Sequence, residues 1–349
     1  MTIISASRRT DIPAFYAEWF MRRVRSGHFY RVNPFNTRQV TGFSLDPGDV
    51  DAFIFWTKDP HPLLRHLAEL DNRGYNYYFQ FTLNPYDTPF EPNTPPLTER
   101  IVTFRKLAEF IGPQRVVWRY DPIILSSITP VEYHLQMAGR IASALAGSTE
   151  SLVFSFLDFY GKVQGRLKKL QERSGITLAD IAAPQLRDER ERLAAGLKSI
   201  ADRHGLKLLS CSEEVDLAAF GIEHGSCIDG NLIRELTGSS KPFARDRNQR
   251  GACGCVESVD MGIYSTCSFN CAYCYANSHG ATIESNRKRH HPESASLLYD
   301  YEGDVEIRRG SGMKKPGVEC GGRQPDLFAT FQEKTPEQNA SLRRQRRSP

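Results

Sequence analysis

The sequence predicts an α/β protein: a complete or partial (β/α) barrel of the TIM type with a C-terminal, cysteine-rich and mostly irregular extension. Three observations carry this expectation. About six apolar, β-branched or aromatic runs occur, each followed by a stretch with helical spacing, which implies parallel pairing through right-handed crossovers. The runs are continuous rather than alternating, as in a sheet covered on both faces. Each run ends on polar or charged residues, where barrel proteins place their sites. An open doubly wound sheet is the alternative. No G-x-G-x-x-G follows the first strand, which weakens a dinucleotide-binding version of it.

Residues 2–7 are β-branched and apolar and lead into the polar SRRTD. Pro13 suits a first helical turn. Phe15, Trp19, Phe20 and Val24 then recur at helical spacing until Gly27. Residues 29–32 and 40–43 read as short strands about Asn33 and Pro34. Residues 52–56 form a buried-strand run before Thr57, Lys58 and Asp59, and 60–72 are helical with Leu63, Leu64, Leu67 and Leu70 on one face. Residues 76–83 form the next strand, ending at Asn84 and Pro85. A proline-rich loop to Pro96 precedes a helix opened by Thr98 and Glu99 and ended by Gly112 and Pro113. Residues 115–120 form a strand ending at Asp121 and Pro122. Thr129 is expected to cap a helix with Pro130 in first position and Glu132 favouring its dipole. Residues 151–157 form a strand ending at Asp158, Tyr160 and Lys162; helix 185–204 and strand 206–210, ending at Cys211, follow.

Length and composition fit a barrel plus an extension: 349 residues, 40% hydrophobic and 25% charged. No apolar run approaches the roughly 18 residues of a membrane span, and the N-terminus lacks the pattern of a secretory signal. A cytoplasmic location is expected, where cysteines stay reduced and serve metals or catalysis. The net charge of +4 is mild, and a nucleic-acid binder usually carries a denser basic stripe. Much of the basic charge is local, in Arg287, Lys288, Arg289, Arg308, Arg309, Lys314, Lys315 and the final residues, which reads as a solvated tail. The division expected is a barrel-like core over 1–215, a cysteine-rich iron–sulfur-binding region over 216–280 and an irregular basic tail over 281–349, with a disordered end and QPDLF docking back onto the body.

Five of the eight cysteines fall between Gly251 and Asn277. Cys267, Cys271 and Cys274 have the spacing C-x3-C-x2-C, with Tyr273 before the last. Three thiolates on a short loop can hold three irons of a 4Fe–4S cube and leave the fourth open. The alternative is zinc or a closed structural cluster, although zinc sites normally present two separated pairs. Cys211, Cys227 and the tight pair Cys253 and Cys255 precede the triad. Together they suit a second 4Fe–4S cluster or a zinc site; the alternative is ordinary buried thiols. Cys320 reads as a free thiol.

The segment CSFNCAYC resembles the cluster loop of the radical S-adenosylmethionine (SAM) superfamily. More specifically, SASRRTDIP, FWTKDP, RYDPI, the CID after Gly225 and RGACGC…YSTCSFNCAYCYAN resemble the bacterial family called domain of unknown function 1848. The superfamily resemblance implies that Cys267, Cys271 and Cys274 bind the cluster and that its open iron chelates SAM. One electron then releases methionine and a 5′-deoxyadenosyl radical. It also implies an electron donor such as a flavodoxin or ferredoxin. In most such enzymes the triad follows the first barrel strand. Here it comes after about three quarters of the chain, so the barrel is permuted or the triad packs onto it from outside.

The barrel reading puts Arg8, Arg9, Asp11, Lys58, Asn84, Arg119, Asp121, Asp158, Tyr160 and Lys162 on one rim. Arg8, Arg119 and Lys58 together suit an anionic ligand, because arginine forks match carboxylate or phosphate; rim salt bridges are the alternative. The leading expectation is a radical SAM-type enzyme acting on an unknown substrate, with Arg119 contacting SAM. An iron–sulfur electron carrier or sensor, or a metal-stabilised nucleic-acid-binding or repair-associated protein, are the others.

Overall fold

In the computed structural model the described residues are 1–33, 35–159, 161–278, 280–298, 305, 307–309 and 313–315. Eight strands form one sheet: β1 (Thr2–Ser5), β2 (Val50–Thr57), β3 (Tyr77–Thr82), β4 (Val116–Ile123), β5 (Ser151–Phe156), β6 (Lys207–Ser210), β7 (Glu223–His224) and β8 (Val259–Asp260). Every pairing between them is parallel. The spatial order is β7-β6-β5-β4-β3-β2-β1-β8. The first seven strands thus lie in chain order, and β8 returns beside β1. Among the described residues no ladder joins β7 to β8. The two short outer strands, β7 and β8, are additions to the six expected from the sequence.

Sequential parallel strands joined by right-handed crossovers place every crossover helix on the same side of the sheet. The core bears this out. Phe53, Phe55, Tyr77, Phe79, Phe81, Trp118, Leu152 and Phe154 pack with Trp19, Phe20, Leu67, Phe104, Leu107, Ile141 and Leu197 from the helices. The alternate strand positions face the other way. There Ile3, Ala52, Ile54, Tyr78, Val117 and Val153 pack against Cys227, Ile228, Ile233, Cys253, Cys255 and Val256. This second face is therefore covered by the cysteine-bearing segment 226–256, which includes the short helix Gly230–Thr237.

Several local expectations need correction. The first helical stretch is two helices, Ile12–Phe15 and Ala17–Ser26, and Asp11 is the N-cap of the first, accepting from Ala14 N at 3.0 Å. The helix expected over 60–72 is broken into His61–Leu64 and Leu67–Asn72. Thr129 does not cap Val131–Ala144; its hydroxyl donates to Ile124 O at 2.6 Å instead.

The largest correction concerns the tail. Gly280–Arg289 is a helix. The segment after it is pinned by Trp19 Nε1 donating to Ser294 O at 2.9 Å, Arg23 Nη2 to Glu293 O at 3.0 Å and Tyr30 N to Ala295 O at 2.8 Å. Leu297 and Leu298 are buried. Ile307–Arg309 then pairs in parallel with Asn36–Ser44, itself antiparallel to His28–Asn33. Tyr160, Cys320 and the QPDLF patch lie outside the described residues, as does the chain end; Lys162 falls in the helix Gly161–Ser174. No helix among the described residues is long and apolar enough to cross a membrane.

Candidate functional site

A cavity of about 640 Å³ opens at the C-terminal ends of the strands. All seven described cysteines line it, together with Arg8, Arg9, Asp11, Lys58, Arg119, Asp121 and Asp158. The two cysteine groups and the expected rim residues thus share one space, although the triad comes so late in the chain. Among the expected rim residues whose side chains are described, Asn84 is the exception: it is buried behind the wall, where Nδ2 donates to Asp121 O at 2.9 Å and Oδ1 accepts from Asp121 N at 2.8 Å.

The triad loop is tied down by its own backbone. Arg166 donates to Cys271 O at 2.5 Å, Cys274 O at 2.6 Å and Asn277 O at 3.0 Å. Asn277 Nδ2 donates to Cys267 O at 2.9 Å, Ala272 N to Phe90 O at 2.9 Å, and Tyr16 OH to Thr266 O at 2.7 Å. Tyr275 OH donates to Arg8 O at 2.7 Å, which joins the loop to the turn after β1. Cys271 and Cys274 are close enough to Cys267 to raise it electrostatically, and Cys274 likewise raises Cys271. Burial pushes the Cys267 thiol well above its usual value, and Asp11 adds to it. Burial likewise lifts Cys271 to about 12, with Lys58 partly opposing.

Below Cys271 lies a buried charge network. Glu91 is fully buried. Its Oε1 accepts from Lys58 Nζ at 2.8 Å, from Asn84 Nδ2 at 3.1 Å and from the Tyr273 hydroxyl, and its Oε2 lies 3.9 Å from Arg100 Nη1. Burial alone would raise the Glu91 carboxyl, but Lys58 and Arg100 hold it below its ordinary value. Lys58 also donates to the Tyr273 hydroxyl at 3.0 Å. Burial would lower the Lys58 pKa, yet Glu91 and Cys271 outweigh it and raise it.

The other four cysteines gather in the same wall. Cys211 and Cys227 sulfurs are 3.0 Å apart. Cys227 interacts side chain to side chain with Cys255, and Cys255 with Cys253. Contact with Cys227, then burial, pushes Cys211 well above the usual thiol range; Cys227 rises to about 11, its contact with Cys211 opposing and its contact with Cys255 and burial prevailing. Cys253, accepting from Cys255, falls to about 7. Among the described residues, no three or more His, Cys, Asp or Glu side chains are already arranged to hold a metal ion.

The rim arginines are more committed than a free anion site requires. Arg119 places Nε and Nη2 on Asp121 Oδ2 at 2.8 and 2.6 Å, and Nη1 on Gln80 Oε1 at 3.1 Å and Cys227 Sγ at 3.0 Å. Burial opposes its charge, but Asp121 and the two cysteines outweigh that and hold it firmly protonated. All three guanidinium nitrogens are thus engaged, and the one that faces the cysteines, Nη1, is directed at the four-cysteine group rather than at the triad. Asp121 also accepts from the Ser155 hydroxyl. Asp11 is likewise engaged, capping its helix and accepting from Lys58 N at 2.7 Å; burial pushes its carboxyl up to about 7. Asp158 pairs with Arg250 at 2.6 Å. Arg8 is less committed: its guanidinium lies 5.9 Å from the Trp56 ring and 3.8 Å from Asp246. Arg9 lies over Tyr264 at 5.0 Å.

Three residues that organise the site escaped the sequence reading: Glu91, Arg166 and Asp260. Asp260, at the end of β8, accepts from Ser5 Oγ at 2.9 Å, Ser7 Oγ at 2.6 Å, Arg8 N at 2.9 Å and Gly262 N at 2.9 Å. It fixes the turn that carries Arg8 and Arg9. The signal for Asp260 was present, as an acidic residue after a short apolar run. Glu91 sits in a proline-rich loop and Arg166 on a strongly charged helix, settings that read as solvated.

No curated protein sequence matches the chain. Among solved structures, a Rhizobium etli pyruvate carboxylase variant with the allosteric activator acetyl coenzyme-A is 10% identical, with 85% of this chain and 23% of that chain covered and a TM-score of 0.27. The chain therefore spans about a quarter of that carboxylase. An HpcH/HpaI aldolase from Desulfitobacterium hafniense is 12% identical, covering 68% of this chain and 90% of that one, with a TM-score of 0.21. The EAL domain of FimX from Xanthomonas citri, in complex with c-diGMP, is 15% identical over 61% of this chain and 91% of that one, with a TM-score of 0.20. Likenesses at this level leave the description of the fold to the sheet itself. The family model described as Domain of unknown function (DUF1848) matches residues 3–276, which include both cysteine groups and every residue lining the cavity, and the chain belongs to that family.

Proposed function

We propose that the protein is a radical SAM-type iron–sulfur enzyme built on an opened (β/α) barrel whose seam lies between β7 and β8. One observation carries the reading: Cys267, Cys271 and Cys274 line the cavity at the strand ends together with the arginines and lysine of the first two turns. The donor chemistry suits a cluster. Three thiols share one short loop beside a lysine; burial holds Cys267 and Cys271 in their protonated form, and iron, by binding the thiolate, displaces that proton. Bound there, a 4Fe–4S cluster would supply one electron to S-adenosylmethionine on its open iron, releasing methionine and a 5′-deoxyadenosyl radical that takes a hydrogen atom from substrate.

The chain's own residues have defined tasks. Arg166 fixes the carbonyls of Cys271 and Cys274 and so sets the spacing of the loop. Lys58 keeps a positive charge beside Cys271 and is held there by Glu91. Arg8, with long contacts to Asp246 and the Trp56 ring, and Arg9, over Tyr264, are the cations proposed to orient an anionic group. Trp56 and Phe269 in the lining limit water around the reacting atoms. A flavodoxin or ferredoxin is the proposed donor of the electron. A cavity of this size has no use in a bare electron carrier, which favours the enzyme over the carrier or sensor.

Anaerobically reconstituted, dithionite-reduced protein is expected to convert SAM to 5′-deoxyadenosine, slowly without substrate. Cys271→Ala should lose both that product and the triad's EPR signal. A protein with all three triad cysteines replaced that keeps its full iron content rejects the cluster assignment. Failure of the loaded protein to bind or cleave SAM leaves the carrier or sensor reading in its place.

A further inference from the structure

We propose that Cys211, Cys227, Cys253 and Cys255 form a second metal centre, a closed tetrathiolate site that fastens the open seam of the sheet. This does not depend on the triad's function. The four residues come from the elements that flank the seam. Cys211 follows β6, Cys227 follows β7, and Cys253 and Cys255 lead into β8. No ladder joins β7 to β8 among the described residues. Instead, Val256 N donates to Ile228 O at 3.1 Å, so the backbones beside Cys255 and Cys227 already touch.

The backbone around each thiol is fixed from outside the group. Cys227 O accepts from Tyr78 OH at 2.7 Å and Gln80 Nε2 at 3.0 Å. Cys253 O accepts from Arg245 Nε at 3.0 Å, Cys255 O from Asp246 N at 2.9 Å, and Cys211 N donates to Phe154 O at 2.8 Å. The residue between the paired cysteines is closely approached: a Cβ on Gly254 would lie 2.5 Å from Ser226 Oγ, next to Cys227, so a larger residue requires that hydroxyl to turn away. Packing at that distance is what brings the C-x-C loop to the Cys227 loop. The Cys211 and Cys227 sulfurs are 3.0 Å apart, and Cys227 interacts side chain to side chain with Cys255, as Cys255 does with Cys253. Each cysteine has a single side-chain torsion through which its sulfur can be turned towards a shared centre.

Arg119 decides against an apolar role. A fully buried guanidinium, oriented by the two bonds it donates to Asp121, also donates to Cys227 Sγ at 3.0 Å. A charged donor aimed at sulfur is wasted on a neutral thiol and well placed on a metal-bound thiolate, whose negative charge it offsets. Soft thiolates select zinc or iron–sulfur clusters, and both share this coordination. A disulfide between Cys211 and Cys227 is the competing use of the 3.0 Å contact.

Elemental analysis of the full-length protein with Cys267, Cys271 and Cys274 replaced by alanine tests the site without the triad. That protein is expected to retain metal: zinc alone for a mononuclear site, iron with matching sulfide for a cluster. Adding Cys211→Ser or Cys255→Ser should remove it. Arg119→Gln should weaken retention on the order of 10-fold to 100-fold, as loss of an outer partner does. Should the variants fail to fold, the wild-type protein answers: the four thiols are expected to resist alkylation until a chelator is added, and hydrogen exchange around β8 should then rise. A triad-free protein that folds without metal, a Cys211–Cys227 disulfide in its place, or alkylation unaffected by chelator overturns the proposal.

Discussion

Glu91 shows how much a single buried carboxylate can hold. It accepts from Lys58, Asn84 and Tyr273 and sits beside Arg100, so it balances two buried cations under the triad loop. Removing one partner from a buried ion pair costs about 3–5 kcal/mol, because the charge left behind is desolvated and unpaired. Glu91→Gln is therefore expected to lower stability by about 3 kcal/mol in urea denaturation, and Lys58→Met in the same protein should recover part of it. A Glu91→Gln protein as stable as wild type would mean that water reaches the network. The same residue marks the limit of the sequence reading. The rim residues could be named because each follows an apolar run. Which of them are free could not, because Arg119 and Asp121 satisfy each other across two positions of one strand. Glu91 reaches Lys58 from a loop that looks exposed.

Elements were legible where one physical signal dominated. The continuous apolar runs at 52–56, 76–83 and 151–157 became β2, β3 and β5 within a residue or two at most ends. Helix starts were less legible, because capping depends on where a hydroxyl finds a better acceptor, as Thr129 does in Ile124 O. The helix Val131–Ala144 also buries His134 between Tyr120 OH and Ile124 O, each at 3.0 Å. Burial lowers its pKa to about 4. The folded value lies below the usual 6.5, so the unfolded chain binds the proton more tightly. The stabilisation is thus complete above pH 6.5 and is lost as pH falls towards 4. His134→Gln should flatten that part of the stability profile, measured by denaturant titration at each pH. An unchanged slope would assign acid sensitivity elsewhere. β8 makes a second case. A Cβ on Gly262 would come within 2.1 Å of Ser7 Oγ, which donates to Asp260. Gly262→Ala is expected to cost about 1–3 kcal/mol by overpacking, with a drop of a few degrees in Tm; a wild-type Tm would show that the turn after β1 yields freely.

At the scale of the molecule, the sequential order of strands was implied by the alternation of apolar and helical stretches. What the alternation could not reveal is the cover of the sheet's second face. That cover comes from residues 226–256, whose cysteines and glycines look like loop material. Nor could it reveal that the chain continues to pack beyond the family match, which ends at residue 276. Helix Gly280–Arg289 lies against the triad loop through Asn286 Nδ2 donating to Ser265 O at 3.0 Å and through the Tyr16–His290 ring contact at 4.8 Å. Leu297 and Leu298 close the apolar surface beyond it. Fully burying a leucine stabilises by about 1.5–3 kcal/mol, and the buried Leu297 and Leu298, with the hydrogen bonds to Trp19, Arg23 and Tyr30, hold this segment against the ordering entropy that opposes it. Truncation after residue 278 is therefore expected to lower Tm by several degrees and to red-shift the emission of Trp19, which loses its bond to Ser294 O and its cover. Because Asn286 and His290 also brace the segment before Cys267, the truncated protein should lose iron faster to a chelator than the full chain does. Unchanged Tm, Trp19 emission and iron loss would reduce the segment to a surface appendage; a lower Tm with unchanged iron loss would separate support of the fold from support of the triad loop.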